Sequence, residues 1–207
     1  MNPESTTIKY LALGDSYTIG ENVCEDCGFP VQLKDSLQKL YPADLISAKI
    51  IAQTGWTTAN LISAINDENS DYDYDLVTLL IGVNNQYQNK PFELYEKEFP
   101  ILLNKAIAFA RGNKKKVIVI SIPDYAFTPF GQRKSNPSDI SLQIDRYNAF
   151  ARKYCKANGV EFTNITDITQ QGLNNPNLVT KDGLHPSALA YSMFVERLLP
   201  KVKSILK

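Results

Sequence analysis

The stretch Leu76-Val77-Thr78-Leu79-Leu80-Ile81 carries a single polar side chain, Thr78, and stops at Gly82. A strand wetted on one face alternates polar and apolar residues. A nearly continuous apolar run of this length belongs instead to a strand buried on both faces, as in a parallel sheet covered by helices. Residues 117–122 repeat the pattern and stop at Pro123, and residues 8–13 form another short apolar run ending at Gly14. Residues 45–52 are weaker but rich in β-branched side chains (Ile46, Ile50, Ile51), and a shorter run, 160–163, follows Gly159.

Helical periodicity fills the intervals. Residues 29–40 place Val31, Leu33, Leu37 and Leu40 on one face. Residues 57–65 open on threonines suited to N-capping. Residues 91–111 carry Leu94, Phe99, Leu102, Leu103, Ile107 and Phe109 before Gly112, a plausible stop. Residues 142–158 end in Asn158-Gly159, and residues 187–206 close the chain, with Pro200 expected to interrupt the last helix. Strand and helix therefore alternate, which predicts an α/β fold. The expected architecture is a three-layer α/β/α sandwich on a mainly parallel, about five-stranded, flavodoxin-like sheet, built as a single domain over residues 1–207. The longest irregular stretch, 123–139, contains Pro129, Gly131, Asn136 and Pro137 and reads as a lid or substrate-contacting loop.

Composition narrows the functions. Lys+Arg and Asp+Glu both count 22, so there is no basic footprint for nucleic acid and no polybasic signal for anionic lipid. No apolar stretch approaches the roughly 20 residues that span a bilayer, which predicts no stable membrane insertion. Residues 1–7 are polar and the apolar run after them is too brief for a signal-peptide core. The chain thus reads as cytoplasmic, a signal removed beforehand being left open, and its oligomeric state is not legible. Cys24, Cys27 and Cys155 form no disulfide framework; Cys24-x-x-Cys27 offers at most a redox pair or half of a zinc site, which would need about four ligands.

The chemistry sits in the segments that follow the predicted strands, because sites of open α/β sheets form beyond the carboxyl ends of the strands. Those segments are Gly14-Asp15-Ser16-Tyr17, Gln53-Thr54-Gly55-Trp56, Gly82-Val83-Asn84-Asn85 and Pro123-Asp124-Tyr125. The only histidine, His185, lies in Asp182-Gly183-Leu184-His185-Pro186, before the last helix. A lone histidine is more often a surface or hydrogen-bonded core residue than a base, so its partners decide. Asp182, three positions earlier, could orient the ring. Ser16 could present a hydroxyl at the sheet edge, and Gly55 could let a substrate oxygen reach its N–H. The Asn84 amide could converge on that same point, making an oxyanion hole. Each glycine is individually a good turn residue and each polar side chain a good cap; their joint appearance at successive strand ends favours chemistry.

On these four blocks, in this order, the chain resembles the SGNH, or GDSL-type, ester hydrolases, over nearly its whole length and with the SGNH hydrolase fold. Tyr17 stands where that family often has Leu, and Asn85 where it often has Asp. The resemblance implies Ser16 as nucleophile, His185 as base and then acid, and Asp182 as the group that fixes the imidazole tautomer. It implies an oxyanion hole of Ser16 N–H, Gly55 N–H and the Asn84 amide, and neither metal nor organic cofactor. The substrate would be a small O-acyl ester: an acyl lipid, an acetylated sugar or an aryl ester. Asp15, Tyr17, Trp56, Asn85 and Tyr125 are candidate substrate contacts. Two alternatives stay open: an acyltransferase using the same site, and a non-catalytic flavodoxin-like binding module.

Overall fold

Five runs become strands: β1 (Thr7–Gly14), β2 (Leu45–Ala52), β3 (Leu76–Leu80), β4 (Val117–Ile120) and β5 (Glu161–Thr163). The computed structural model describes residues 6–68 and 72–206, so residues 1–5 of the polar N-terminal segment lie outside the described residues. All neighbouring strands are parallel, in the order β2-β1-β3-β4-β5. Every residue of β3 and β4 is buried, as their unbroken apolar runs require, whereas β2, on the sheet edge, exposes several of its side chains.

Parallel neighbours cannot be joined by tight hairpins, so each strand returns through a helix. Helix α1 (Ser16–Ile19) is one turn after β1, and α2 (Phe29–Leu40) carries the chain to β2. Helix α3 (Thr58–Asp67) leads to β3; α4 (Val83–Tyr87) and α5 (Phe92–Phe109) lead to β4. Helices α6 (Pro129–Gln132) and α7 (Pro137–Asn158) lead to β5, and α8 (Thr166–Thr169) and α9 (Ala188–Ile205) complete the chain. Helices α2 and α9 pack together on one face of the sheet, while α3, α5 and α7 form the layer on the other. Local chemistry starts and stops them: Thr57 and Asn60 form a reciprocal capping box on α3, and Ser187 caps α9.

Two boundaries differ from expectation. Helix α7 begins at Pro137, five residues before the predicted 142, because Pro in the first turn and Asp139 beside the helix N-terminus are start signals. Helix α9 runs through Pro200 to Ile205. The hydrogen bond that the proline forfeits is offset by full burial of Leu198 and Val202 on either side of it. The stretch 123–139 is also not an open loop. It folds into a 3-10 turn at Tyr125–Phe127, helix α6 and the start of α7, and Phe130 N–H donates to Gly183 O at 2.8 Å.

The cysteines require a correction too. Cys24 and Cys27 are bonded to each other as a disulfide, leaving buried Cys155 as the free thiol, so this pair is not half of a zinc site. No helix among the described residues is long and apolar enough to cross a membrane.

Register aligns the site. Gly14 pairs with Ala52 on one side and with Leu80 on the other, so β1, β2 and β3 end level with one another. Ser16, Gly55 and Asn84 therefore emerge side by side. Because Leu79 is fully buried at the centre of this alignment, Leu79→Ala is expected to cost about 2–5 kcal/mol and to lower Tm by on the order of 10 °C, measured by differential scanning fluorimetry.

Candidate active site

The turn after β1 is forced by close approach. A Cβ at Gly14 would lie 2.0 Å from Thr18 Oγ1 and 2.5 Å from Leu80 O, so no other residue fits. Asp15 then caps α1, its Oδ1 accepting from Tyr17 N–H at 3.1 Å. Ser16 is thereby held at the first position of a helix, where the backbone N–H has no intrahelical acceptor. Among the described residues that N–H makes no hydrogen bond.

The segment 179–186 presents the histidine. Thr180 N–H donates to His185 O at 2.8 Å, and Val179 and Pro186 form an isolated antiparallel bridge, closing a tight loop. Inside it Asp182 Oδ1 accepts from Thr180 Oγ1 (2.6 Å), Leu184 N–H (2.8 Å) and His185 N–H (3.1 Å). Asp182 Oδ2 faces His185 Nδ1 at 2.6 Å, and His185 Nε2 lies 3.2 Å from Ser16 Oγ. The hydroxyl, imidazole and carboxylate thus form one line from residues 169 positions apart in the chain. Burial pushes the Asp182 carboxyl up, but the donors from His185, Thr180 and Leu184 outweigh it and bring it to about 2. Tyr17 packs edge-on against the imidazole, with ring centroids 5.7 Å apart.

Gly55 adopts a left-handed φ of 81°, and a Cβ there would meet nothing within 4 Å. The constraint at this position is therefore conformational and the space over it is open. Its N–H has no partner among the described residues, while its carbonyl accepts from Gln88 Nε2 at 3.0 Å. Asn84 donates one amide hydrogen to Trp56 O at 3.0 Å, which fixes the orientation of its NH₂ group and ties β3's loop to β2's.

The other sequence candidates divide. Trp56 is half-buried and packs against the core. Tyr125 is buried, its hydroxyl donating to Gln86 Oε1 at 2.8 Å, and walls the cleft beside His185 with Tyr17, Pro123 and Leu184. Asp15 and Asn85 are fully buried and bonded within the chain, so they do not face the cleft as substrate contacts would. Asn85 Oδ1 accepts from Thr58 N–H (2.9 Å) and its Nδ2 donates to Thr58 Oγ1 (2.6 Å), fastening the start of α3. Thr58 Oγ1 gives its own hydrogen to the Glu98 carboxylate, so its oxygen is left to accept, and an amide at residue 85 can donate to it where an ionised carboxylate could not. Sequence reasoning missed Thr180, Gln86 and Asn22; the Asn22 amide also donates to Asp182 Oδ2, at 2.5 Å. None has a motif, since their partners are distant or in loops. A larger groove lined by Lys115, Lys116, Lys156 and Lys201 lies at the opposite end of the sheet, away from Ser16.

The fold is of the open α/β class, and comparison bears directly on what it does. The model of the GDSL-like lipase/acylhydrolase family matches residues 12–193. The chain belongs to that family and is a carboxylic ester hydrolase, which sets aside the non-catalytic binding module. No curated protein sequence matches it. Solved structures share the fold at low identity. A lipase/acylhydrolase from Enterococcus faecalis is 21% identical, with 97% of each chain covered and a TM-score of 0.71. A GDSL-like lipase from Bacteroides thetaiotaomicron is 22% identical over 95% of this chain and 88% of that one, with a TM-score of 0.67. A variant of an acetyl-xylooligosaccharide esterase from Geobacillus is 17% identical over 96% and 95%, with a TM-score of 0.70.

The buried Asp15 makes a pH signature. Burial raises its carboxyl to about 7, the Tyr17 N–H and its own N–H only partly opposing the rise. The folded state therefore holds this proton up to about 7, whereas the unfolded chain releases it near 3.8. This contribution to stability is full below the unfolded value and is lost as pH rises through the window between the two. Asn keeps the capping acceptor and cannot ionise, so the Tm of Asp15→Asn relative to wild type is expected to climb between those pH values. A constant difference across that range in thermal melts would refute it.

Proposed function

We propose that the protein hydrolyses small O-acyl esters through an acyl-enzyme, with Ser16 as nucleophile, His185 as general base and acid, and Asp182 as its orienting carboxylate. One observation carries this reading: the continuous contact from Ser16 Oγ to His185 Nε2 (3.2 Å) and from His185 Nδ1 to Asp182 Oδ2 (2.6 Å). A serine hydroxyl is a poor nucleophile at neutral pH and needs an adjacent base. His185 takes the Ser16 proton as Oγ attacks the carbonyl carbon, and Asp182 stabilises the imidazolium that forms. The same proton then passes to the leaving alcohol. A water enters, gives its proton to His185 and attacks the acyl carbon, releasing the acid and restoring Ser16.

The tetrahedral oxyanion is received by Ser16 N–H, Gly55 N–H and the second amide hydrogen of Asn84. The two backbone N–H groups carry no internal partner among the described residues and Asn84 is already oriented, so little reorganisation accompanies charge development. Asp15 and Asn85 act from beneath, holding the turn that carries Ser16 and the start of α3. The cleft against the imidazole is narrow, walled by Tyr17, Pro123, Tyr125, Leu184 and Pro186. That narrowness favours an acetyl or similarly short acyl group over a long chain.

Ser16→Ala is expected to lower kcat on p-nitrophenyl acetate by at least about 10³-fold, with circular dichroism unchanged. His185→Ala should do the same, since the chain holds no other imidazole. Wild-type turnover in either variant would overturn the assignment. Across p-nitrophenyl esters, kcat/KM is expected to fall from acetate to octanoate; a preference for octanoate would overturn the short-acyl reading alone.

A further inference from the structure

The loop between α1 and α2, residues 20–28, has no part in the chemistry above, yet it grips the site from three directions. Its ends meet: a Cβ on Gly20 would lie 3.0 Å from Gly28 Cα. Within that closure Cys24 and Cys27 are joined by their disulfide, and Cys27 N–H donates to Cys24 O at 2.9 Å. Asn22 Nδ2 donates to Asp182 Oδ2 at 2.5 Å, the same oxygen that faces His185 Nδ1. The adjacent Glu21 carboxylate accepts from Thr54 Oγ1, on the loop that carries Gly55. Behind them, Gln32 Nε2 bridges Cys27 O (2.7 Å) and Ala188 O (3.0 Å), tying the disulfide to the first residue of α9, three positions after His185.

Asn22 reaches Asp182 from a left-handed backbone, φ 62°. Asn tolerates that conformation better than most residues, but a side chain so placed on an exposed loop keeps its bond only if the loop is held. The disulfide starts two residues later, and Cys24 is exposed to reagents in solvent.

We propose that Asn22 is a positioning residue for the Asp182–His185 pair, and that the Cys24–Cys27 disulfide braces it, so that hydrolysis is redox-dependent. The inference rests on the reading of Ser16, His185 and Asp182 as the catalytic triad. The reductant is a dithiol. One of its thiolates attacks a cysteine sulfur, breaking the Cys24–Cys27 bond and forming a mixed disulfide; its second thiol then displaces that cysteine. Two electrons and two protons pass to Cys24 and Cys27, and the dithiol leaves as a cyclic disulfide. Freed of the bond, residues 21–27 regain conformational freedom, and water competes for the Asn22 amide. Asp182 keeps the Thr180 hydroxyl and the Leu184 and His185 N–H groups as donors, so the reduced enzyme turns over more slowly but is not silenced.

The test uses the full chain with p-nitrophenyl acetate, either as the disulfide or reduced with dithiothreitol and desalted before assay. Titration in denaturant verifies the states: one thiol when oxidised, three when reduced. Reduction is expected to lower kcat roughly three- to tenfold with KM unchanged, and reoxidation to restore it. Asn22→Gly keeps the left-handed backbone and removes only the amide; it should show the lowered kcat in both states. Cys24→Ser/Cys27→Ser should match reduced wild type and ignore dithiothreitol. Equal kcat for oxidised and reduced wild type, wild-type kcat in Asn22→Gly, or an Asn22→Gly enzyme still slowed by reduction would each overturn the proposal. Ser16→Ala, assayed beside them, separates this failure from that of the triad. An active Ser16→Ala overturns the triad; with Ser16→Ala inactive, any of the three results above counts against Asn22 and its brace alone.

Discussion

Burial of β1, β3 and β4 between two helical layers is the constraint on which the rest of the molecule depends. Strands without a wet face must satisfy every backbone polar group within the sheet, and parallel pairing does so only if each strand returns through a crossover. The helices that supply those crossovers bury their apolar faces on the sheet and leave the turns at the carboxyl ends uncovered. The strand order reverses direction between β1 and β3, which opens a crevice there. Ser16 and Asn84 flank this crevice because Gly14 and Leu80 end in register.

Within the crevice, the Asp182 carboxylate is the most heavily bonded group. Its two oxygens face Thr180, Leu184, His185 and Asn22, with bonds from both side chain and backbone. Such a set holds the carboxylate charged and immobile and lets it fix the imidazole in turn. Asp15, only one residue from Ser16, is the opposite case. It has only the Tyr17 N–H and its own N–H as donors, no solvent, and an Oδ2 with no partner among the described residues, so burial raises its carboxyl instead. Two carboxyls near one serine are thus pushed apart by surroundings alone.

Much of the fold was legible because apolar runs and helical periodicity are local. Strands at 8–13, 76–81 and 117–122 and five main helices between and after them could be read directly from the spacing of apolar residues. Misreadings came where a local rule was overridden or two signals overlapped. Pro200 reads as an interruption of the last helix, but a packed helix face tolerates it. Pro129 and Pro137 read as loop punctuation, yet each occupies the first turn of a helix. At the site, Ser16, Gly55, Asn84 and His185 were visible because each follows a strand or precedes a helix in a recognisable block. Asn85 was visible too, but its fully buried bond to Thr58 was not, since nothing in the sequence tells a rim amide from one fastening a helix.

By itself, the sequence determined the alternation of strands and helices, the order of the four candidate blocks and the uniqueness of His185, because these depend on residue types and short spacings. Only the tertiary structure decided which side chains meet. It brought Asn22 to Asp182 across 160 residues, closed Cys24 onto Cys27, and turned Asp15 and Asn85 inward. Such contacts are set by sheet register and by how two layers of helices pack, and a polar residue in an exposed loop carries no periodicity that could announce its partner.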